Sequence, residues 1–91
     1  MISSNISSLQ SNQVFMNNSA NNVANVNTDR FVPKETTISE TQNGATKANS
    51  SMADSNGSEK SQTDLSKEIT DQVSIEKIAQ SNIKAIRTQD E

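Results

Sequence analysis

The stretch Ser19–Phe31 reads SANNVANVNTDRF, and it closes a region, Met1 to Thr28, that contains no Asp, Glu, Lys or Arg. Eight Asn and six Ser are interspersed there with apolar residues. A helix on the surface of a monomer normally carries charged side chains on its outer face. We therefore expect other protein chains to cover this region, and its end to mark where the chain leaves a packed interior.

The composition limits what the chain can bury by itself. Only 30% of its 91 residues are hydrophobic, and only Phe15 and Phe31 are aromatic. Ordering the chain costs roughly 1–2 kcal/mol per residue, which so few apolar side chains offset poorly. Because the sequence has no Cys and no His, disulfides and thiolate or imidazole metal sites are excluded. These features predict either a disordered chain or a subunit that orders on assembly.

Charge and hydropathy exclude several kinds of partner. The net charge is −3, and the basic residues are scattered without interleaved aromatic residues, which argues against nucleic-acid binding. No apolar run approaches the roughly 18 residues of a membrane span. The first residues lack the basic start and apolar block of a cleaved secretory signal, so none is predicted.

Residues 1–28 are predicted to form an N-terminal helix that ends near Asn27 and Thr28, a few residues before Pro33. Its apolar positions are spaced alternately by four and three residues, as in a coiled-coil seam. The seam comprises Ile2, Ile6, Leu9, Gln13, Met16, Ala20 and Val23, with Gln13 as its one polar position, and Ala24 is among the residues that widen it. Because Asn and Ser are poor helix formers, the helix should depend on packing. It is either one arm of a simple helical hairpin or a helix buried among several copies or partners.

Residues 29–63 are predicted to be a polar linker. The default expectation is an irregular or flexible segment, because Ser, Thr, Asn, Gln, Lys, Glu and Gly dominate it. Thr36–Ser39 is the only strand-like patch. A short hairpin around the turn-forming pair Asn43-Gly44 is the alternative.

Residues 64–91 are predicted to form a C-terminal helix. Asp64 and Glu68 place negative charge in its first turns, and Lys84 and Arg87 suit its C-terminal end. Its broad apolar face comprises Leu65, Ile69, Val73, Ile75, Ile78, Ala79, Ile83, Ala85 and Ile86. Because this helix carries ordinary surface charge, we expect it to lie outside the uncharged helix if the two form concentric layers.

The sequence offers little for catalysis. It contains no His, Cys, Tyr or Trp, no Ser with a local base and no Gly-rich phosphate loop. No spacing matches an EF-hand loop, so only a loose oxygen site for Ca²⁺ or Mg²⁺ would be open. We therefore predict a protein that is not an enzyme and that has no cofactor, no metal site and no catalytic residue.

The N-terminal motif resembles that of the bacterial flagellar axial proteins, which are the rod, hook and hook–filament junction subunits. Residues 20–31, ANNVANVNTDRF, are similar to the family pattern ANNIANVNTPGF, with Asp29-Arg30 in place of Pro-Gly. The matching polar and aromatic positions are Asn21, Asn22, Asn25, Asn27, Thr28 and Phe31.

The C-terminus resembles the closing helix of the same family. The matches follow one another without a gap, although Glu76–Ala79 replaces the family's Gln-Arg-Ala-Tyr centre. The matching positions are Asp64-Leu65, Glu68-Ile69, Asn82, Lys84, Ile86, Thr88 and Asp90-Glu91.

The resemblance implies a fold. It implies two long terminal helices packed as an antiparallel coiled-coil hairpin, with many copies stacked into a hollow tube. Larger members place β-rich domains between these helices, so this chain would be a minimal member. We therefore predict an all-α fold in which a largely irregular or disordered polar linker joins the two helices.

The resemblance also implies a role, namely a structural subunit of the flagellar basal-body rod that is exported by the type III apparatus without a cleaved signal. Its location would be the periplasmic rod. Its partners would be other rod or hook subunits, further copies of itself and the export apparatus. One alternative is a regulatory or chaperone-like protein that binds axial subunits or the export gate without being incorporated, and another is a decayed paralogue. The residues expected to carry helix packing and assembly are Ile2, Ile6, Leu9, Met16, Ala20, Val23, Ala24, Leu65, Ile69, Val73, Ala79, Ile83 and Ile86.

Overall fold

The computed structural model describes residues 2–41 and 44–90. Four elements follow one another: helix α1 (Ile2–Ala24), strand β1 (Lys34–Glu40), strand β2 (Thr46–Met52) and helix α2 (Leu65–Asp90). The predicted all-α fold, a coiled-coil hairpin of two helices, is wrong, because a two-stranded antiparallel sheet comes between the helices in the chain and makes the fold mixed α/β. The irregular linker expected for residues 29–63 is therefore wrong for the residues of the two strands.

The strands form a hairpin whose register pairs Lys34 with Met52 and Glu40 with Thr46. Gly44 has a φ of 76°, a left-handed conformation that suits glycine in the connecting turn. The hairpin is the alternative that the Asn43-Gly44 pair had indicated, although Asn43 itself lies outside the described residues. Two-stranded hairpins are marginal in water by themselves. This one has support, because both strands pack on α1.

The two helices run antiparallel, because residues later in α1 contact residues earlier in α2. The pairs are Ser8 with Asn82, Ser19 with Gln72 and Asn22 with Glu68. α1 lies in the middle of the fold, with α2 on one side and the hairpin on another. The Cα atoms of the described chain span 53 × 24 × 14 Å, so the molecule is elongated and thin. No described helix combines the length and the apolar character needed to cross a membrane.

The end of α1 is closed by side chains of the segment that precedes α2. Thr63 Oγ1 donates to the carbonyl of Asn22 at 2.9 Å, and Ser61 Oγ donates to the carbonyl of Asn25 at 2.8 Å. The last carbonyls of a helix have no partner within the helix, so such donors hold its end in place. Asp64 Oδ1 accepts from the Lys67 amide at 3.3 Å, as an N-cap side chain does.

A tight turn follows at Thr28–Phe31, where the Phe31 amide donates to the Thr28 carbonyl at 3.2 Å. Arg30 has a φ of 62° and is the one non-glycine residue with positive φ in the described chain. A turn with positive φ only at its third position is of type II, which favours Pro at the second position and Gly at the third. Asp29-Arg30 therefore adopts the turn that Pro-Gly would form, with backbone strain at Arg30.

Candidate assembly surface

The interior of the fold is polar. Ile75 is the only buried hydrophobic residue among those described, at 3% exposure. The other buried side chains are Ser11, Asn12, Asn18, Ser19, Asn22 and Glu68. Burying amides and hydroxyls costs free energy unless each one is hydrogen-bonded. The contacts of these side chains therefore decide whether the fold holds together.

A line of hydrogen bonds joins the two helices. Asn82 Nδ2 donates to Ser8 Oγ at 2.9 Å, and Gln72 Nε2 donates to Ser19 Oγ at 3.0 Å. Near the other end of the line, Asn22 Nδ2 donates to Glu68 Oε1 at 2.7 Å. Small Ser side chains allow the helices to approach closely, and the longer side chains of α2 reach across.

Asn22 connects three elements. Besides its bond to Glu68, its Nδ2 donates to the Lys34 carbonyl at 2.9 Å and its Oδ1 accepts from the Lys34 amide at 2.8 Å. The side-chain amide thus pairs with the first residue of β1 much as a neighbouring strand would. With only 1% of Asn22 exposed, the helix pair and the hairpin meet at this residue.

Two further contacts hold the hairpin to α1. Asn18 Nδ2 donates to Thr36 Oγ1 and to Ser50 Oγ, both at 2.8 Å, and so spans the two strands. Near the other end of the hairpin, Ser7 Oγ donates to the Thr46 carbonyl at 2.7 Å and accepts from the Thr46 amide at 2.9 Å. Asn and Ser on this side of α1 therefore replace the apolar contacts that usually fix a sheet on a helix.

Two buried polar atoms have no partner among the described residues: Asn12 Nδ2 and Glu68 Oε2. Both belong to residues that are 4% exposed. Unpaired buried groups typically cost about 1–3 kcal/mol each.

The apolar residues lie on a different side of the helix pair. An open groove of about 440 Å³ runs between the helices, lined by Leu9, Asn12, Gln13 and Met16 of α1 and by Ile75, Glu76 and Ala79 of α2. Residues seven apart share a helix face, so the stripe through Leu9 and Met16 continues to Val23. In the same way, Ile69 and Ile83 share the side of Glu76. We call this surface the groove face, which comprises Ile6, Leu9, Met16, Ala20, Val23, Leu65, Ile69, Val73 and Ile83.

Much of the groove face is open to solvent. Ile69 is 59% exposed, Ile83 49%, Val73 48%, Ile6 45% and Leu65 42%. The two predicted stripes therefore flank the groove without burying one another. Of the other residues expected at the interface, Ala20 and Ala24 are exposed, whereas Leu9, Met16, Val23, Ala79 and Ile86 are half-buried. Nothing is described for the side chain of Ile2.

The motif residues divide into three groups. Asn22 and Asn82 join elements, as described above. Asn25 and Thr28 stabilise the turn after α1: Asn25 Nδ2 donates to the Asn21 carbonyl at 2.8 Å, and Thr28 Oγ1 donates to Asn25 Oδ1 at 2.9 Å. The third group consists of residues at or near the surface. Asn21 and Asn27 are exposed, and Phe31 is half-buried. Thr88 is also exposed, and its hydroxyl donates to the Lys84 carbonyl on the same helix.

Sequence reasoning named Asn22, Glu68 and Asn82 as motif positions, but it missed the other residues that join the helices, Ser8, Ser19 and Gln72. The signal was present, because Ser8, Asn12, Phe15, Ser19 and Asn22 also repeat at alternating spacings of four and three. This second line runs parallel to the apolar seam on α1. Hydrophobic periodicity does not detect this line, because four of its five residues are polar.

One ion pair is present among the described charged residues. Lys67 Nζ donates to Asp71 Oδ2 at 2.8 Å, and this contact raises the pKa of Lys67 above its ordinary value of 10.5. Within residues 2–41 and 44–90, no three carboxylates lie close enough together to hold a metal ion. No protein-family model and no curated protein sequence matches the chain.

Proposed function

We propose that this chain is a structural subunit of the bacterial flagellar basal body, most simply of the rod, which assembles through its two helices. The observation that carries the proposal is the inverted distribution of side chains. Apart from Ile75, the buried residues of the described chain are Asn, Ser and Glu, while Ile6, Leu65, Ile69, Val73 and Ile83 are more than two-fifths exposed. Such a surface is a marker of protein–protein contact.

The uncharged α1 supports the same proposal. In a polymer, each charge on a buried face is repeated in every subunit, and each copy must be desolvated at a cost unless it is paired. Residues 2–24 carry no charged side chain, so α1 can be enclosed by neighbours without that cost.

The choice of the flagellar axial structure rests on the two terminal resemblances. The N-terminal motif contains Asn22, and the C-terminal motif contains Glu68, which are hydrogen-bonded to each other in the fold. The hairpin 34–52 occupies the position in which larger members of that family carry β-rich domains. Partners on this proposal are other rod or hook subunits, further copies of the chain and the type III export apparatus, and the location is the periplasmic rod.

Purified basal bodies test the proposal. Basal bodies and cytosol from the same cells are compared by quantitative mass spectrometry, with a known rod protein and a cytosolic enzyme as markers. The chain is expected to follow the rod protein. Abundance in the cytosol together with absence from basal bodies would overturn the proposal and favour a regulatory or chaperone-like protein that is not incorporated.

A further inference from the structure

The groove face is a candidate contact between subunits because nothing in the described fold covers it. Its two apolar stripes come from different helices and lie on either side of one open groove. The described part of the hairpin packs on another side of α1 and approaches α2 only where Lys34 and Glu35 line a cavity with Lys67 and Glu68. The helix pair is therefore an amphipathic layer with one apolar side free.

We propose that the groove face of one copy packs against the groove face of a second copy, which places the four helices in a bundle and leaves both hairpins on the outside. Pairs of helical hairpins commonly bury their apolar sides in this way. The inference rests on the proposed assembly role, and it adds the face that is used and a specific partner.

The size of the face fits a stable contact. Helix α1 has 23 residues and is therefore about 35 Å long. Two helices packed about 9 Å apart present a layer about 20 Å wide, so the face covers on the order of 700 Å². A standard interface buries about 800 Å² of each partner. The area of the groove face is therefore close to that of a standard interface.

The α1 half of the face carries no charge, so no like charges meet where its stripe is enclosed by an identical copy.

The unpaired amide of Asn12 is a second observation at the same place. Asn12 lines the groove, is 4% exposed, and its Nδ2 has no acceptor among the described residues. A side-chain oxygen inserted into the groove by a second copy would satisfy this donor. Gln13, which lines the same groove and is exposed, is suitably placed to provide one.

Sedimentation equilibrium over a range from low to high micromolar concentration tests the inference. The wild-type chain is expected to move from its monomer mass of 9.9 kDa to twice that mass. Ile69→Lys, at a position 59% exposed in the single copy, is expected to weaken dimerisation at least tenfold. Thr37→Lys is the matched control, because Thr37 is exposed on a strand of the hairpin and should leave the dimer unchanged.

Cysteine crosslinking identifies the face independently. The natural sequence contains no Cys, so Gln13→Cys and Thr37→Cys each carry a single thiol. Under mild oxidation, Gln13→Cys is expected to give a covalent dimer at a rate at least tenfold above that of Thr37→Cys. A wild-type chain that stays monomeric at high micromolar concentration, or a dimer that Ile69→Lys leaves intact, would overturn the inference. Neither result would change whether the chain is found in basal bodies, so failure of the inference is distinct from failure of the proposed function.

Discussion

Asn22 on α1 and Glu68 on α2 are joined by a hydrogen bond of 2.7 Å from Nδ2 to Oε1, with 1% and 4% of the two residues exposed. The same amide holds both backbone groups of Lys34. One side chain therefore fixes the positions of both helices and of the hairpin. Several measurable consequences depend on this arrangement.

Replacing Asn22 should be costly. Asn22→Ala removes three hydrogen bonds and leaves the buried Glu68 carboxylate without its donor, so we expect a loss of about 3 kcal/mol in the free energy of unfolding. Urea unfolding followed by circular dichroism measures it, at a protein concentration where the helical signal is saturated. The neighbouring Asn21→Ala is the control, since Asn21 is exposed and should change stability by less than about 0.5 kcal/mol. If the two substitutions lowered the free energy of unfolding equally, Asn22 would not be the residue that holds the helices and the hairpin together.

Removing the charge of Glu68 should be tolerated far better than removing its partner. Glu68→Gln keeps an oxygen to accept from Asn22 and replaces the unpaired, buried Oε2 by a neutral amide group. We therefore expect a change in stability within about 1 kcal/mol, because a buried charge with incomplete partners contributes little net stability. The same urea measurement applies. A loss as large as that of Asn22→Ala would mean that the negative charge itself stabilises the fold.

Arg30→Gly should stabilise the chain. Arg30 has a φ of 62°, which is strained for any residue with a Cβ and unstrained for Gly. We expect a gain of about 0.5–1 kcal/mol, and the hydrogen bond from the residue 30 amide to the Glu59 carbonyl is retained. Asp29→Gly is the matched control: the φ of Asp29 is not positive, so added flexibility should destabilise. If Arg30→Gly destabilised the chain and Asp29→Gly stabilised it, the assigned turn would be excluded.

The pair Lys67–Asp71 should matter little and should depend on pH only in alkali. The hydrogen bond with Asp71 raises the pKa of Lys67 above 10.5 in the folded state, so its stabilising effect is complete below that pH and is lost as pH rises through the folded-state pKa. Lys67 is exposed, Asp71 is half-buried, and the two lie four residues apart on one helix, which limits the effect of the pair to about 0.3–0.5 kcal/mol. Lys67→Met should therefore differ slightly from wild type at neutral pH and converge with it in strong alkali. A difference that grows with pH would have the wrong sign.

Placing a charge on the first helix should block incorporation. Val23 lies on the groove face and is half-buried in a single copy, and further enclosure by neighbours would desolvate a carboxylate there. If the proposed function is correct, Val23→Asp leaves expression and export intact but abolishes recovery of the chain in basal bodies. Immunoblots of cytosol, secreted fraction and basal bodies separate these steps. Normal incorporation and motility would contradict a buried first helix.

The sequence was sufficient to locate the two helices, because caps and apolar spacing are local signals. The predicted helices 1–28 and 64–91 compare with Ile2–Ala24 and Leu65–Asp90. The first helix ends earlier than expected, at the turn that Asn25 and Thr28 stabilise.

The hairpin and the choice of contact faces could not be predicted in the same way. Ile38 was the only apolar anchor of the strand-like patch, and what holds the hairpin is the polar side of α1, through Ser7 and Asn18. Hydrophobic periodicity identifies the apolar stripe of a helix, but it does not say whether that stripe meets the chain's own second helix or another molecule. Here Ser19 and Asn22 make the internal contact, and Ile69 on the second helix stays exposed.

The dependence of helix content on protein concentration tests the central claim most directly. Far-ultraviolet circular dichroism of the purified chain is recorded from low to high micromolar concentration in the same buffer. If the apolar side chains are covered only by association, the helical signal is weak at the lowest concentration and rises together with the mass measured by sedimentation. A full helical signal with cooperative unfolding that is independent of concentration would contradict the account.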